Sequence, residues 1–222
     1  MITQNMMDDA LRYIGIPKGK ADEQIVDQIK LGFETLQKYI MPKIAYQRVK
    51  VKLEGDTVSL CGTSCEVSSK SLNQLFRHSK ECVLIAATLG LEVDRQISRY
   101  QKLDMLDAMI LDSCASVLID KLCDDAEQEI IQTLKENEYL TMRFSPGYGD
   151  VPLELSGEIL DILSAQRRIG LTLTKTHMLL PTKSITALIG ISNQKENRQK
   201  SCSHCNLVKH CNYRRRGERC GL

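Results

Sequence analysis

Residues 48–62, Arg-Val-Lys-Val-Lys-Leu-Glu-Gly-Asp-Thr-Val-Ser-Leu-Cys-Gly, are where the chain changes period. Val49, Val51 and Leu53 alternate with Lys50 and Lys52, Glu54-Gly55-Asp56 supplies a turn, and Val58 and Leu60 resume the alternation. A period of two turns one face to a core and the other to water, which predicts an antiparallel hairpin. Upstream the spacing is helical. Ile25, Ile29, Phe33, Leu36 and Ile40 line one face of residues 22–40, with Asp22 as N-cap and Pro42 beyond the end. A shorter helix is predicted over 3–14, stopped by Gly15 and Pro17.

Downstream, a short helix is expected around Ser71–His78, and the apolar run 81–90 (ECVLIAATLG) reads as a buried strand. The longest element begins near Leu103. Leu103, Leu106, Ile110, Cys114, Val117, Ile119 and Leu122 sustain an apolar stripe to about Ile131, a rod of roughly 42 Å at 1.5 Å per residue. A short strand then leads into residues 143–150, followed by a helix over 154–164 and strands over 171–180 and 184–192. Helices and strands come in blocks, so the expected class is α+β, a twisted, mostly antiparallel sheet flanked by helices including one long one.

The 222 residues are 42% hydrophobic and 26% charged, an ordinary globular composition. No apolar run approaches the ~18 residues that cross a bilayer, and no basic-then-apolar leader opens the chain, so a cytoplasmic protein without membrane association is expected. Three parts are expected: a helical segment 1–45, a main domain 46–192 and a basic tail 193–222. Between Lys195 and Arg219 eight cations face two glutamates, so that stretch is +6 and the remainder is about −4 of the net +2.

The tail also holds four of the nine cysteines, Cys202, Cys205, Cys211 and Cys220. Four thiolates at x2, x5 and x8 spacing suit tetrahedral zinc or a [4Fe–4S] cluster, and His204 or His210 could replace one of them. Cys82, Cys114 and Cys123 fall in apolar segments, where a free cysteine acts as a small hydrophobe. The run Arg214–Arg216 would suit nucleic acid, but the mildly acidic body and the lack of a helix-turn-helix pattern argue for an acidic protein partner instead.

Arg143-Phe144-Ser145-Pro146-Gly147-Tyr148-Gly149-Asp150 concentrates the candidate chemistry. Two glycines and a proline predict a fixed turn whose backbone amides are exposed to a ligand. Arg143 offers a planar donor fork for a carboxylate or phosphate, and Tyr148 an aromatic face. This loop, with residues 169–181 (IGLTLTKTHMLLP) and 184–192 (SITALIGIS) after it, resembles the activation (reactivation) domain of vitamin B12-dependent methionine synthase. That family carries an R-P-x-P-G-Y-P loop and a later M-x-P-x-x-S-V-S-G strand. Arg143, Pro146, Gly147 and Tyr148 match the first, and Met178, Pro181, Ser184 and Thr186 the second. The resemblance covers residues 80–192.

The resemblance implies that the protein binds S-adenosylmethionine and supports reductive methylation of cob(II)alamin. The cobalamin would sit on a separate methionine synthase or related corrinoid protein, because the chain has no D-x-H-x-x-G motif for ligating cobalt. It further implies Arg143 on the methionine carboxylate, Asp124 on the α-ammonium group, and Phe144, Ser145, Pro146 and Gly147 around the adenosine. Tyr148 would take the catalytic position beside the reacting methyl, Glu127 being the fallback acid one turn from Asp124. A flavodoxin or ferredoxin-type protein would deliver the electron, which favours an iron–sulfur cluster over zinc in the tail. The sequence departs from the pattern at Gly149, where the family has proline, and after Ser192, where family tyrosines are missing. Those departures motivate an alternative, a metal-stabilised interaction module that kept the fold and lost the ligand.

Overall fold

The computed structural model describes residues 2–17 and 19–195, together with Lys209 and Arg215. Helix α1 (Gln4–Tyr13) starts at Thr3, whose hydroxyl accepts from the Met6 amide, and α2 (Glu23–Gln37) starts at Asp22, whose carboxylate accepts from the Ile25 amide at 2.8 Å. The hairpin forms as expected from strands β1 (Lys43–Glu54) and β2 (Thr57–Leu60), with Val51 opposite Leu60 and Leu53 opposite Val58. Gly55 turns it at φ +59, a conformation that a Cβ disfavours. Strand β3 (Glu66–Ser68) pairs antiparallel with β2, and helix α3 (Lys70–Phe76) and strand β4 (Ser79–Thr88) follow.

A helix then appears that the periodicity did not announce. In α4 (Leu91–Leu103) only Val93, Gln96 and Ile97 are buried, too narrow a stripe to stand out among its charges. The backbone becomes extended at Asp104, whose carboxylate accepts from the Leu106 and Asp107 amides and so restarts the helix as α5 (Met105–Gln132). The long rod therefore begins two residues later than Leu103 and runs 28 residues. Strand β5 (Tyr139–Leu140) and helices α6 (Leu155–Ile162) and α7 (Ala165–Ile169) come next.

Residues 171–180 fold into a small hairpin, β6 (Thr172–Leu173) with β7 (Leu179–Leu180), where the sequence suggested one strand. The Thr174 hydroxyl accepts from the Thr176 and Met178 amides, and His177 takes φ +59, so the middle of the segment is a turn. Strand β8 (Ser184–Ser192) ends the described fold. No helix among the described residues is long and apolar enough to cross a membrane.

The six-stranded sheet runs β3-β2-β1-β4-β8-β5. Strands β4 and β8 are covered on both faces: every residue from Cys82 to Thr88 and from Thr186 to Ser192 is buried. Double burial explains why 81–90 reads as a continuous apolar run and the outer hairpin as an alternation.

Two compact units divide the chain, one of residues 1–45, 86–130 and 164–185, the other of 46–85, 131–163 and 186 onward. In the first, Ile29, Phe33 and Leu36 of α2 join Val93 and Ile97 of α4 and Ile110, Leu111 and Cys114 of α5 in one core. Gly32 lets α2 approach α5 closely, since a Cβ there would lie 3.1 Å from Ile110 Cγ2 and 3.2 Å from Cys114 Sγ. The Tyr13 hydroxyl donates to Asp120 at 2.9 Å and ties α1 to α5. The second unit holds most of the sheet, α3, α6 and residues 143–150. There Arg48 of β1 donates to Glu81 of β4 and to Glu138 just before β5.

Phe33 is 1% exposed at the centre of the first core. Phe33→Ala should therefore lower the unfolding free energy by about 3–5 kcal/mol in chemical denaturation. A loss below about 1 kcal/mol would contradict this packing.

Candidate functional site

Residues 141–156 cross from the sheet to α6, and strand β8 organises the crossing. The Thr141 amide donates to the Gly190 carbonyl at 2.9 Å, and the Gly190 amide returns a bond to the Thr141 hydroxyl at 2.8 Å. Phe144 and Leu188 then exchange both backbone bonds, at 2.9 and 2.8 Å, as a short antiparallel bridge. Gly190 allows the approach, because a Cβ there would lie 2.7 Å from Ser79 Oγ and 2.9 Å from Thr141 Cγ2. On the outgoing side the buried Thr186 hydroxyl donates to Ser156 at 3.0 Å and fastens α6 to the same strand.

Between these anchors the chain makes a tight internal turn. The Gly147 amide donates to the Val151 carbonyl and the Val151 amide to the Tyr148 carbonyl, at 3.0 and 3.1 Å. Gly147 sits at φ +87 and Gly149 at φ +60. Pro146 is buried, while Arg143, Phe144 and Ser145 are half-buried and Tyr148 is 69% exposed. Asp150 closes the loop on α3. Its Oδ1 accepts from the Ser69 hydroxyl at 2.7 Å and the Ser71 amide at 3.1 Å, and its Oδ2 from the Lys70 amide at 2.7 Å. Desolvation pulls the carboxyl upward, but hydrogen bonds from Ser69, Ser71 and Lys70 outweigh it and hold the group well below the usual carboxylate range.

Arg143, Phe144, Ser145, Pro146, Gly147 and Tyr148 thus share one loop in the second unit. Asp124 lies exposed on α5 in the first unit, and Glu127, the fallback acid, is 6% exposed on the same helix. One expectation needs correction: the loop amides are not all presented outward, because those of Phe144 and Gly147 are already bonded to Leu188 and Val151. Sequence reasoning missed Asp150 and Ser69. The Ser-Lys-Ser start of α3 is a capping signal, but nothing local points from it to a carboxylate 81 residues away.

Cys202, Cys205, Cys211 and Cys220, with His204 and His210, lie outside the described residues. Among the described residues no group of three or more His, Cys, Asp or Glu side chains could hold a metal. Burial pushes the Cys65 thiol up to about 11 and the Cys114 thiol to about 12, and raises Cys82 as well. Those cysteines stay protonated at neutral pH and pack as hydrophobes, as expected for Cys82 and Cys114.

A six-stranded sheet with flanking helices, carrying a glycine-proline loop held against β8, defines an α+β domain. The sequence matches the family "Vitamin B12 dependent methionine synthase, activation domain" over residues 79–217, more than half of the chain, and the protein belongs to that family. The fold also matches a structure described as the crystal structure of the MetH reactivation domain bound to AdoHcy. The TM-score is 0.59 at 13% identity, covering 96% of this chain and 83% of that one. No curated protein sequence matches the chain.

If the Gly190 approach fixes the loop, Gly190→Ala must displace Ser79, Thr141 or Phe76. It should cost about 1–3 kcal/mol of stability in urea titration. A neutral or stabilising effect would show that the crossing has slack.

Proposed function

We propose that the protein binds S-adenosylmethionine and supports the reductive methylation, and so the reactivation, of cob(II)alamin carried by a separate cobalamin-dependent methionine synthase or related corrinoid protein. Membership of the activation-domain family supports this reading. The observation that carries it is the loop 143–150, which sets an arginine and an exposed tyrosine on a backbone bonded to β8 at one end and α3 at the other. When bound, the methyl donor supplies an electrophilic sulfonium methyl.

The residues suit such a ligand. It carries a carboxylate, an ammonium group and a sulfonium. Arg143 would pair with the carboxylate through its planar fork. Phe144, Ser145, Pro146 and Gly147 would bound the adenosine by their shape, since the Phe144 and Gly147 amides are engaged within the fold. The exposed Tyr148 would stand next to the reacting methyl and face the incoming corrinoid.

In the basic tail, Cys202, Cys205, Cys211 and Cys220 would hold a [4Fe–4S] cluster that accepts an electron from a flavodoxin or ferredoxin-type donor. Zinc is the competing occupant. The neighbouring lysines and arginines would lower the thiol pKa values and offset the cluster's negative charge.

Calorimetry on the purified protein should show S-adenosylmethionine binding in the micromolar range. Arg143→Ala should weaken it by about tenfold or more, the worth of a charged hydrogen bond. A folded wild type that gives no binding heat would refute the reading and leave the interaction module in its place.

Anaerobically purified protein should carry about four irons per chain and be brown, and Cys205→Ser should abolish that absorbance without changing S-adenosylmethionine affinity. Stoichiometric zinc without iron would refute the redox role of the tail.

A further inference from the structure

The first turn of α3 is completed by two residues distant in sequence. A helix start leaves four amides without intrahelical partners unless caps supply them. Here the Ser69 amide donates to the Asp56 carbonyl at 3.0 Å, and the Leu72 amide to the Ser69 hydroxyl at 3.1 Å. The remaining two, Lys70 and Ser71, donate to Asp150. The Ser69 hydroxyl, 2% exposed as a residue, uses its own proton on Asp150 as well. One carboxylate thus receives three hydrogen bonds, all from the N-terminal end of a helix, where negative charge is favoured.

Asp150 directly follows the last glycine of the loop. Gly149 stands at φ +60, and a Cβ there would lie 2.6 Å from Ser71 Oγ and 3.3 Å from Phe144 Cζ. Proline, the residue of the R-P-x-P-G-Y-P pattern at this place, is locked near φ −65° and cannot adopt this backbone. A ring that stiffens the loop is therefore replaced by a glycine that lets the chain reach α3 and a carboxylate that holds it there.

We propose that Asp150 is a positioning residue: by capping α3 across the chain, it holds residues 143–149 in the conformation that receives the methyl donor. The proposal rests on the functional reading above. Lys70 is exposed and Ser71 half-buried, so water can replace the lost acceptor at α3. Removing Asp150 should accordingly loosen the loop far more than it unfolds the protein.

Asp150→Ala, Asp150→Asn and Gly149→Ala test this through amide hydrogen exchange and S-adenosylmethionine calorimetry. In Asp150→Ala, the Gly147 and Val151 amides should exchange about tenfold faster or more while β4 and β8 keep wild-type protection, the mark of local opening. The dissociation constant should rise by about tenfold or more, with Asp150→Asn, which keeps one carbonyl acceptor, falling between Asp150→Ala and wild type. Gly149→Ala should move both readouts in the same direction by crowding Ser71. Unchanged loop exchange in Asp150→Ala, or faster exchange with unchanged affinity, would overturn the positioning role. A folded wild type that binds no methyl donor would overturn the functional reading itself, and the exchange pattern would still decide whether Asp150 holds the loop.

Discussion

The burial of β4 and β8 on both faces is the constraint on which the rest of the structure depends. A strand with no wet face must satisfy every amide and carbonyl from its neighbours. On β8 this requirement reaches beyond the regular strands: the chain after β5 stays alongside it, through Thr141 against Gly190 and Phe144 against Leu188. The candidate loop therefore begins as an extension of sheet pairing. Gly190 is the adjustment that makes it fit, because no side chain could stand among Ser79, Thr141 and Phe76.

A loop held this way is organised before any ligand arrives. Internal bonds from Gly147 and Val151 shape its turn, and the three-bond Asp150 anchor fixes its far end. Ordering a loop on binding costs free energy, so prior order improves affinity without a new contact.

The sequence made visible what is encoded locally. Asp22 as a cap, the Val49-Val51-Leu53 alternation and the glycine turn at Gly55 each express their structure within a few residues. Helix α4 was hidden because three buried positions among many charges give a weak period, and the β6–β7 hairpin because its turn depends on Thr174 and His177. For the site, the loop motif was legible as residue types at fixed spacing. The engagement of the Phe144 and Gly147 amides and the hold of Asp150 on α3 were not, since each depends on a partner brought close only by the fold.

We infer that a preformed loop between β8 and α3 receives a sulfonium methyl donor. A crystal structure of the protein soaked with S-adenosylmethionine tests it most directly. The ligand should lie against residues 143–148 with its carboxylate on the Arg143 guanidinium, and the Phe144–Leu188 and Asp150–Ser69 bonds should be unchanged. Ligand bound elsewhere, or a loop that has released β8 or α3 to accommodate it, would contradict the account.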